Sequence, residues 1–295
     1  LRVEFHQLNI EDAAQLPGQF DLINCVGVLH HLPEPVKGTQ ALAQKLAPGG
    51  IMHIFVYAQL GRWEILLVQE AIALLQGENQ GDYRDGVRVG REIFANLPEN
   101  NRLVKREKSR WAMENHQDEC FADMYVHPQE IDYRIETLFE LIAASGLDFI
   151  GFSNRDYWNL ARLIGKSPQL LARAEKLSEF DRYRLIERLD PEITHYEFFL
   201  SKPPLEKYDW SEDTELEAAI AEINPCLNGW PSQKILDHDY RMVSLSDLEF
   251  NFLQACEVNR SQNKTLKEIL TEVPLDLAQV RSLQQRQLVL LTPSG

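Results

Sequence analysis

The sequence predicts an α/β fold centred on a parallel sheet, with helical insertions and a small C-terminal α+β module. Three observations predict it. Residues 20–28 (FDLINCVGV) are a near-continuous apolar run rich in branched side chains, the pattern of a strand covered on both faces. Residues 51–57 (IMHIFVY) repeat that character. Between them Ala41, Leu42 and Leu46 recur at helical spacing, and Pro48-Gly49-Gly50 closes the helix. A strand, a helix of about a dozen residues and a second strand form a right-handed parallel unit. Ligands of such sheets bind beyond the carboxyl ends of the strands, which puts residues 26–32 at the mouth of a site. Gly27 lies there, where a small residue admits close approach.

The first element in chain order is an alternating stretch, residues 3–8 (VEFHQL), expected as a strand. The two strands that follow carry a resemblance. FDLINCVGVLHHL followed by LAPGGIMHIFVYA resembles the fourth and fifth strands of class I S-adenosylmethionine-dependent methyltransferases. The pairing of the two motifs is fairly specific, whereas either alone would be weak. The resemblance implies a partial Rossmann-like doubly wound sheet of methyltransferase type, with S-adenosylmethionine as cofactor. It also implies that Asn9 and Ile10 lie beside the adenine, and that Cys25, Val26, Leu29 and His30 surround the methionine arm and sulfur. A second register would set Asp12-Ala13 at the adenine instead. The chain departs from the family in having no G-x-G turn and no ribose-binding acid ahead of it. The expectation is therefore a fragment whose first two strands are absent, and whose cofactor contacts are incomplete without them.

Residues 63–75 (WEILLVQEAIALL) are apolar at helical spacing, a helix buried in the protein or covered by a partner. Residues 76–86 form a polar break, and 87–97 and 101–111 read as short helices. The second has a basic face of Arg102, Lys105, Arg106, Lys108 and Arg110, more often a solvated helix face than a phosphate site. His127-Pro128 breaks the chain before an amphipathic helix at 135–144, which Gly146 caps. A strand at 147–152, a mostly helical stretch at 157–188 interrupted near Pro168, and an aromatic strand at 194–201 (THYEFFLS) complete the series. The resemblance makes these the sixth and seventh strands. It covers residues 1–203, with helical insertions at about 60–122 and 157–190, where the family commonly builds its substrate pocket.

The Pro- and acid-rich junction at 203–213 marks a boundary, leaving 204–295 as a small winged-helix-like module. There 215–223 reads as a helix, Ser246 with Glu249 as a capping box, and 265–270 and 280–291 as further elements. The module lacks a dense Lys/Arg stripe, so a packing or regulatory role is favoured over nucleic-acid reading.

Composition narrows the partners. The formal net charge is −15, from 45 acidic and 30 basic residues, which disfavours nucleic acid and anionic membranes. Four scattered cysteines without C-x-x-C, no apolar run of membrane-spanning length and no signal-peptide pattern suggest a cytoplasmic protein with reduced thiols.

Methyl transfer needs a nucleophile held in line with the departing sulfur, and a base only where that nucleophile carries a proton. On the acceptor side, His127 and Tyr125, with Asp123 nearby in DMYVHP, are the candidate catalytic groups. A structural loop with a satisfied His is the competing reading. For His30, facing the cofactor and packing as a turn residue stay open, whereas His31 is assigned to packing. His116-x-x-x-Cys120 with Asp118 lacks a second ligand pair, so no metal is expected. Two functions follow: a methyltransferase acting on an unidentified acceptor, or a catalytically silent relative that binds a protein partner or another copy of itself.

Overall fold

The computed structural model describes residues 3–205, 208–259 and 262–294. The chain divides into two compact units, Leu1–Leu205 and Glu206–Gly295.

The first unit is built on a four-stranded mixed sheet. In chain order its elements start with a 3-10 turn Ile10–Gln15, β1 (Phe20–Val26), a 3-10 turn Leu29–His31, α1 (Pro35–Lys45) and β2 (Leu46–Tyr57). Next come α2 (Trp63–Gln76), α3 (Tyr83–Asn96), α4 (Arg102–Arg106) running into a π-turn Glu107–Trp111, and α5 (Asp118–Tyr125). The unit ends with α6 (Ile135–Ser145), β3 (Asp148–Phe152), α7 (Ala161–Ile164), α8 (Pro168–Ala174), α9 (Glu179–Leu189) and β4 (His195–Ser201). The strand order is β1-β2-β4-β3. β1 and β2 are parallel, joined by the α1 crossover, and β4 runs antiparallel to both β2 and β3.

Residues 3–8 correct an expectation. They form no strand, and Phe5 is 94% exposed. Alternation over six residues yields a strand only where a neighbour accepts its ladder hydrogen bonds, and none does so among the described residues. The helix expected to close at Pro48-Gly49-Gly50 ends at Lys45, and Ala47–Gly50 bulges from the start of β2. The register shifts there, from Phe20 opposite Leu46 to Leu22 opposite Ile51. α3 begins at Tyr83, inside the expected polar break, because Asp82 caps it by accepting from the Arg84 and Asp85 N–H groups.

The period-2 pattern separates the faces of the sheet. Cys25, Met52, Ile54, Val56, Tyr196, Phe198 and Leu200 point into a core closed by Ala43 of α1, Leu138 and Ile142 of α6 and Ile186 of α9. Gly146, in the left-handed region at φ 72°, ends α6 and turns the chain into β3. The opposite face is half-exposed and polar-aromatic. There His53 spans Asn24 (2.6 Å) and Glu197 (2.9 Å), Ser153 donates to Glu197 (2.6 Å), and Phe55 stacks on His195.

The helical insertion has its own core of Ile65, Val68, Ile72, Val87, Phe121 and Tyr125. α2 also leaves Leu67, Leu74 and Leu75 exposed.

The second unit contains α10 (Asp213–Ala218), β5 (Ile220–Ile223), β6 (Lys234–Leu236), β7 (Met242–Ser244), α11 (Asp247–Asn259), α12 (Leu266–Glu272), α13 (Leu277–Gln285) and β8 (Val289–Thr292). β5 pairs with β8 and β6 with β7, both antiparallel. The helix expected over 215–223 therefore stops at Ala218, because the ladder to β8 claims its second half. Ser246 and Glu249 make the reciprocal capping bonds, at 2.8 and 3.3 Å.

Candidate functional site

The carboxyl ends of β1 and β2 are roofed by the segment that enters α6. Ile131 N–H donates to the His30 carbonyl (2.8 Å) and Tyr133 N–H to the Tyr57 carbonyl (2.9 Å). Gln59 N–H donates back to Tyr133 (2.7 Å). Residues 131–133 thus continue the sheet for one step over the mouth. The turn after β2 passes against the start of β4 at Gly61, where a Cβ would stand 1.7 Å from the Ile193 carbonyl oxygen. Only glycine fits that crossing, and it aims the next residue, Arg62, back under the roof.

Arg62 is the centre of a buried ionic group. Its Nη2 donates to Glu130 Oε1 (2.9 Å), and its Nε stands 3.4 Å from Asp132 Oδ2. The three side chains are 4%, 5% and 2% exposed. The guanidinium lies 3.6 Å from the Tyr57 ring centre, a cation–π contact. Gln69 of α2 donates to Glu130 Oε1 at 3.2 Å. Burial holds the Asp132 carboxyl well above the carboxylate range; Arg62 opposes that shift and Glu130 adds to it.

Three imidazoles adjoin this group. His30 is fully buried, its ring 3.9 Å from Tyr57 and 4.2 Å from His31. Burial, followed by the charges of His31, Arg62 and His127, takes its pKa down to about 3, so it is neutral. Neither of its ring nitrogens has a hydrogen-bond partner. His31 bonds the Gln129 carbonyl (3.0 Å) and stacks on His127 at 4.1 Å.

The sequence candidates fall into separate places. Val26 is 46% exposed at the end of β1, beside Gly27 at φ +72° with nothing within 4 Å of where a Cβ would sit. With Val28 (38% exposed), they form an open apolar rim able to receive a thioether or a nucleoside. Cys25 points into the core, where burial pushes its thiol up to about 11. Leu29 is buried and His30 faces the ionic group. Asn9 caps the 3-10 turn by accepting from Glu11 N–H (3.2 Å), and Ile10 packs over Gly38 of α1. His127 lines a cavity of about 200 Å³ beside α2, with Gln69 and Tyr125. The Tyr125 hydroxyl donates to Glu107 within the insertion core, and burial raises its pKa.

Sequence reasoning missed Arg62, Glu130 and Asp132. The available signal was Glu130-Ile131-Asp132, two acids on one side of an extended segment. The basic run at 102–110 is largely used internally. Arg106 pairs with Glu64 (2.7 Å) and Glu192 (2.6 Å), Arg110 also pairs with Glu192, and Arg102 covers Trp63. His116 bonds the Met113 carbonyl and Asp118 pairs with Arg91. Among the described residues no cluster of His, Cys, Asp or Glu could hold a metal ion, and no helix is long and apolar enough to cross a membrane.

Comparison with known proteins joins this geometry to a family. A family profile described as a methyltransferase domain matches residues 1–52. The uncharacterized protein syc1184_c of a Synechococcus strain is 60% identical over 293 residues, 99% of this chain and 70% of that protein. The ubiquinone biosynthesis O-methyltransferase of Marinobacter nauticus is 39% identical over 59 residues, 19% of this chain and 24% of that protein. Two structures of PKMT2 from Rickettsia typhi, one in complex with AdoHcy, share the fold at TM-scores of 0.58 and 0.57 with 13% and 14% identity. They cover 96% and 98% of this chain, which spans only 60% and 61% of their length. The chain shares a family with the Synechococcus protein, and its methyltransferase domain makes it a member of the class I S-adenosylmethionine-dependent methyltransferases.

Proposed function

We propose that this chain is a methyltransferase that binds S-adenosylmethionine at the carboxyl ends of β1 and β2 and methylates an acceptor yet to be identified. One observation carries the reading: the open rim of Val26, Gly27 and Val28 lies at the carboxyl end of β1 in a parallel β-α-β unit, where ligands of such sheets bind. The rim suits the apolar parts of the cofactor, which when bound supplies the electrophilic methyl carbon. The residues of the chain hold the reactants in line and exclude water. On this reading Val26, Gly27 and His30 face the cofactor, and His127 stands on the acceptor side at the edge of its cavity. Tyr125 supports His127 from within the insertion core, with its hydroxyl tied to Glu107.

A second reading, a silent relative acting through protein contacts, draws on Leu67, Leu74 and Leu75, exposed along α2. The unit from 206 to 295, read as a winged-helix-like module, then has a packing or regulatory role. Calorimetric titration with S-adenosylmethionine decides between them. Saturable heat is expected, and a flat titration overturns the first reading.

A further inference from the structure

Two carboxylates and one guanidinium are buried together at the mouth of the site. Glu130 and Asp132 share Arg62, and among the described residues no second arginine or lysine pairs with them. His30 stays neutral next to them, while Tyr57 and Gln69 are uncharged. Asp123, on α5, adds further negative potential at Tyr57, and His31 and His127 stand behind His30. The group therefore holds an excess of acid where water is scarce. Oε2 of Glu130 and both ring nitrogens of His30 also lack hydrogen-bond partners, and Asp132 has only a long 3.4 Å approach from Arg62 Nε. Buried polar atoms in proteins are nearly always partnered, so such a concentration marks a place prepared for something else.

We propose that the Glu130–Asp132 pair is the counter-charge for the positively charged sulfur of the cofactor, so that the site distinguishes the sulfonium substrate from its neutral thioether product. This inference rests on the cofactor position proposed above. A bound sulfonium would supply the missing positive charge, and the pair would give up the proton it otherwise holds. When the acceptor's lone pair forms its bond to the methyl carbon, the C–S bond breaks, the sulfur keeps that bond's electron pair and the sulfur becomes neutral. The pair then regains a proton and loses its attraction for the product, which favours release.

S-adenosylmethionine and S-adenosylhomocysteine carry the same amino-acid tail and nucleoside and differ at the sulfur, so their comparison isolates this charge. Both are titrated into the full chain by calorimetry at about pH 7, in buffers of differing ionisation enthalpy. The expected result is release of a proton on binding S-adenosylmethionine but not S-adenosylhomocysteine, with a preference for the former of roughly tenfold. Asp132→Asn and Glu130→Gln should each bring the preference to about one while S-adenosylhomocysteine still binds. Equal proton exchange with the two ligands in the unmodified chain overturns the inference without any variant. So does an unchanged preference in folded Asp132→Asn. If neither ligand binds the unmodified chain, it is the cofactor position that fails.

Discussion

Two ionic clusters in the first unit draw on the same residue types yet balance their charges differently. In one, Arg106 and Arg110 meet Glu64 and Glu192, two cations for two acids, and tie α2 and α4 to the loop before β4. In the other, Arg62 alone meets Glu130 and Asp132 at the end of the sheet. The first cluster behaves as a clasp: its central acid, Glu64, accepts from Arg106 and from Trp111 Nε1. The second sets two carboxylates against one guanidinium, at the carboxyl ends of β1 and β2. Charge balance, not burial, distinguishes the two groups, because Glu64 and Asp132 are both buried.

The largest effect should come from removing the one cation of the unbalanced group. Arg62→Met strands two buried carboxylates and strips the Tyr57 ring of its cation, and should cost about 3–5 kcal/mol. A chemical denaturation midpoint measures it. A loss below about 1 kcal/mol would mean that Arg62 balances no buried carboxylate charge there, and the contrast would collapse.

Removing an acid should then act oppositely in the two clusters. Glu64→Gln leaves Arg106 short of its most buried partner and should lose about 2–3 kcal/mol. Asp132→Asn removes surplus charge and should be neutral or stabilising. The sign follows from proton linkage. A carboxyl whose pKa is raised on folding binds its proton more tightly folded than unfolded, so stability falls as pH climbs from its ordinary value to the raised one. The Asn variant loses that slope and gains on the parent at higher pH. Equal losses for the two variants, in melts across pH, would erase the distinction.

The distances between partners explain how much of this was legible in the sequence. β1, α1 and β2 could be read because two apolar runs and their crossover fall within the 38 residues from Phe20 to Tyr57. β1 is nevertheless an edge strand with only Cys25 buried, and is not covered on both faces as its composition suggested. The Gly146 cap and the Ser246–Glu249 box are likewise local. Residues 3–8 misled because alternation describes a strand without saying whether a neighbour exists. The second half of 215–223 misled because β8, its partner, lies at the far end of the chain. At the proposed site, the sequence places Val26 and Gly27 through the strand end. It does not place Arg62: the partners of that residue are 68 and 70 residues away, and only the Gly61 crossing turns it inward. Arg106 and Arg110 looked solvated for the same reason.

Glu136 tests whether exposure or partner number sets the worth of a pair. Burial alone would raise its pKa, yet hydrogen bonds from Arg184 and Arg188 overcome this and take it down to about 2. A depressed carboxyl contributes stability above its ordinary pKa and loses it as pH falls through the folded value. Glu136→Gln should therefore cost about 1–2 kcal/mol at neutral pH, and the difference should close on acidification from about pH 4.5 to about pH 2.

The smallest effect is expected at Glu192, although it touches two arginines. Its side chain is 55% exposed, so water already screens both pairs. Its carbonyl also accepts from Arg110 at 2.8 Å, a contact that a side-chain change leaves in place. Glu192→Gln should lose under about 1 kcal/mol, and the loss should shrink further as salt is added. Thermal melts at low and high ionic strength measure both quantities. A salt-insensitive loss above about 2 kcal/mol would show that the clasp depends on its outer acid instead of on Glu64. Balance would then be a property of the rim, and Arg62 with its two acids would no longer stand apart from it.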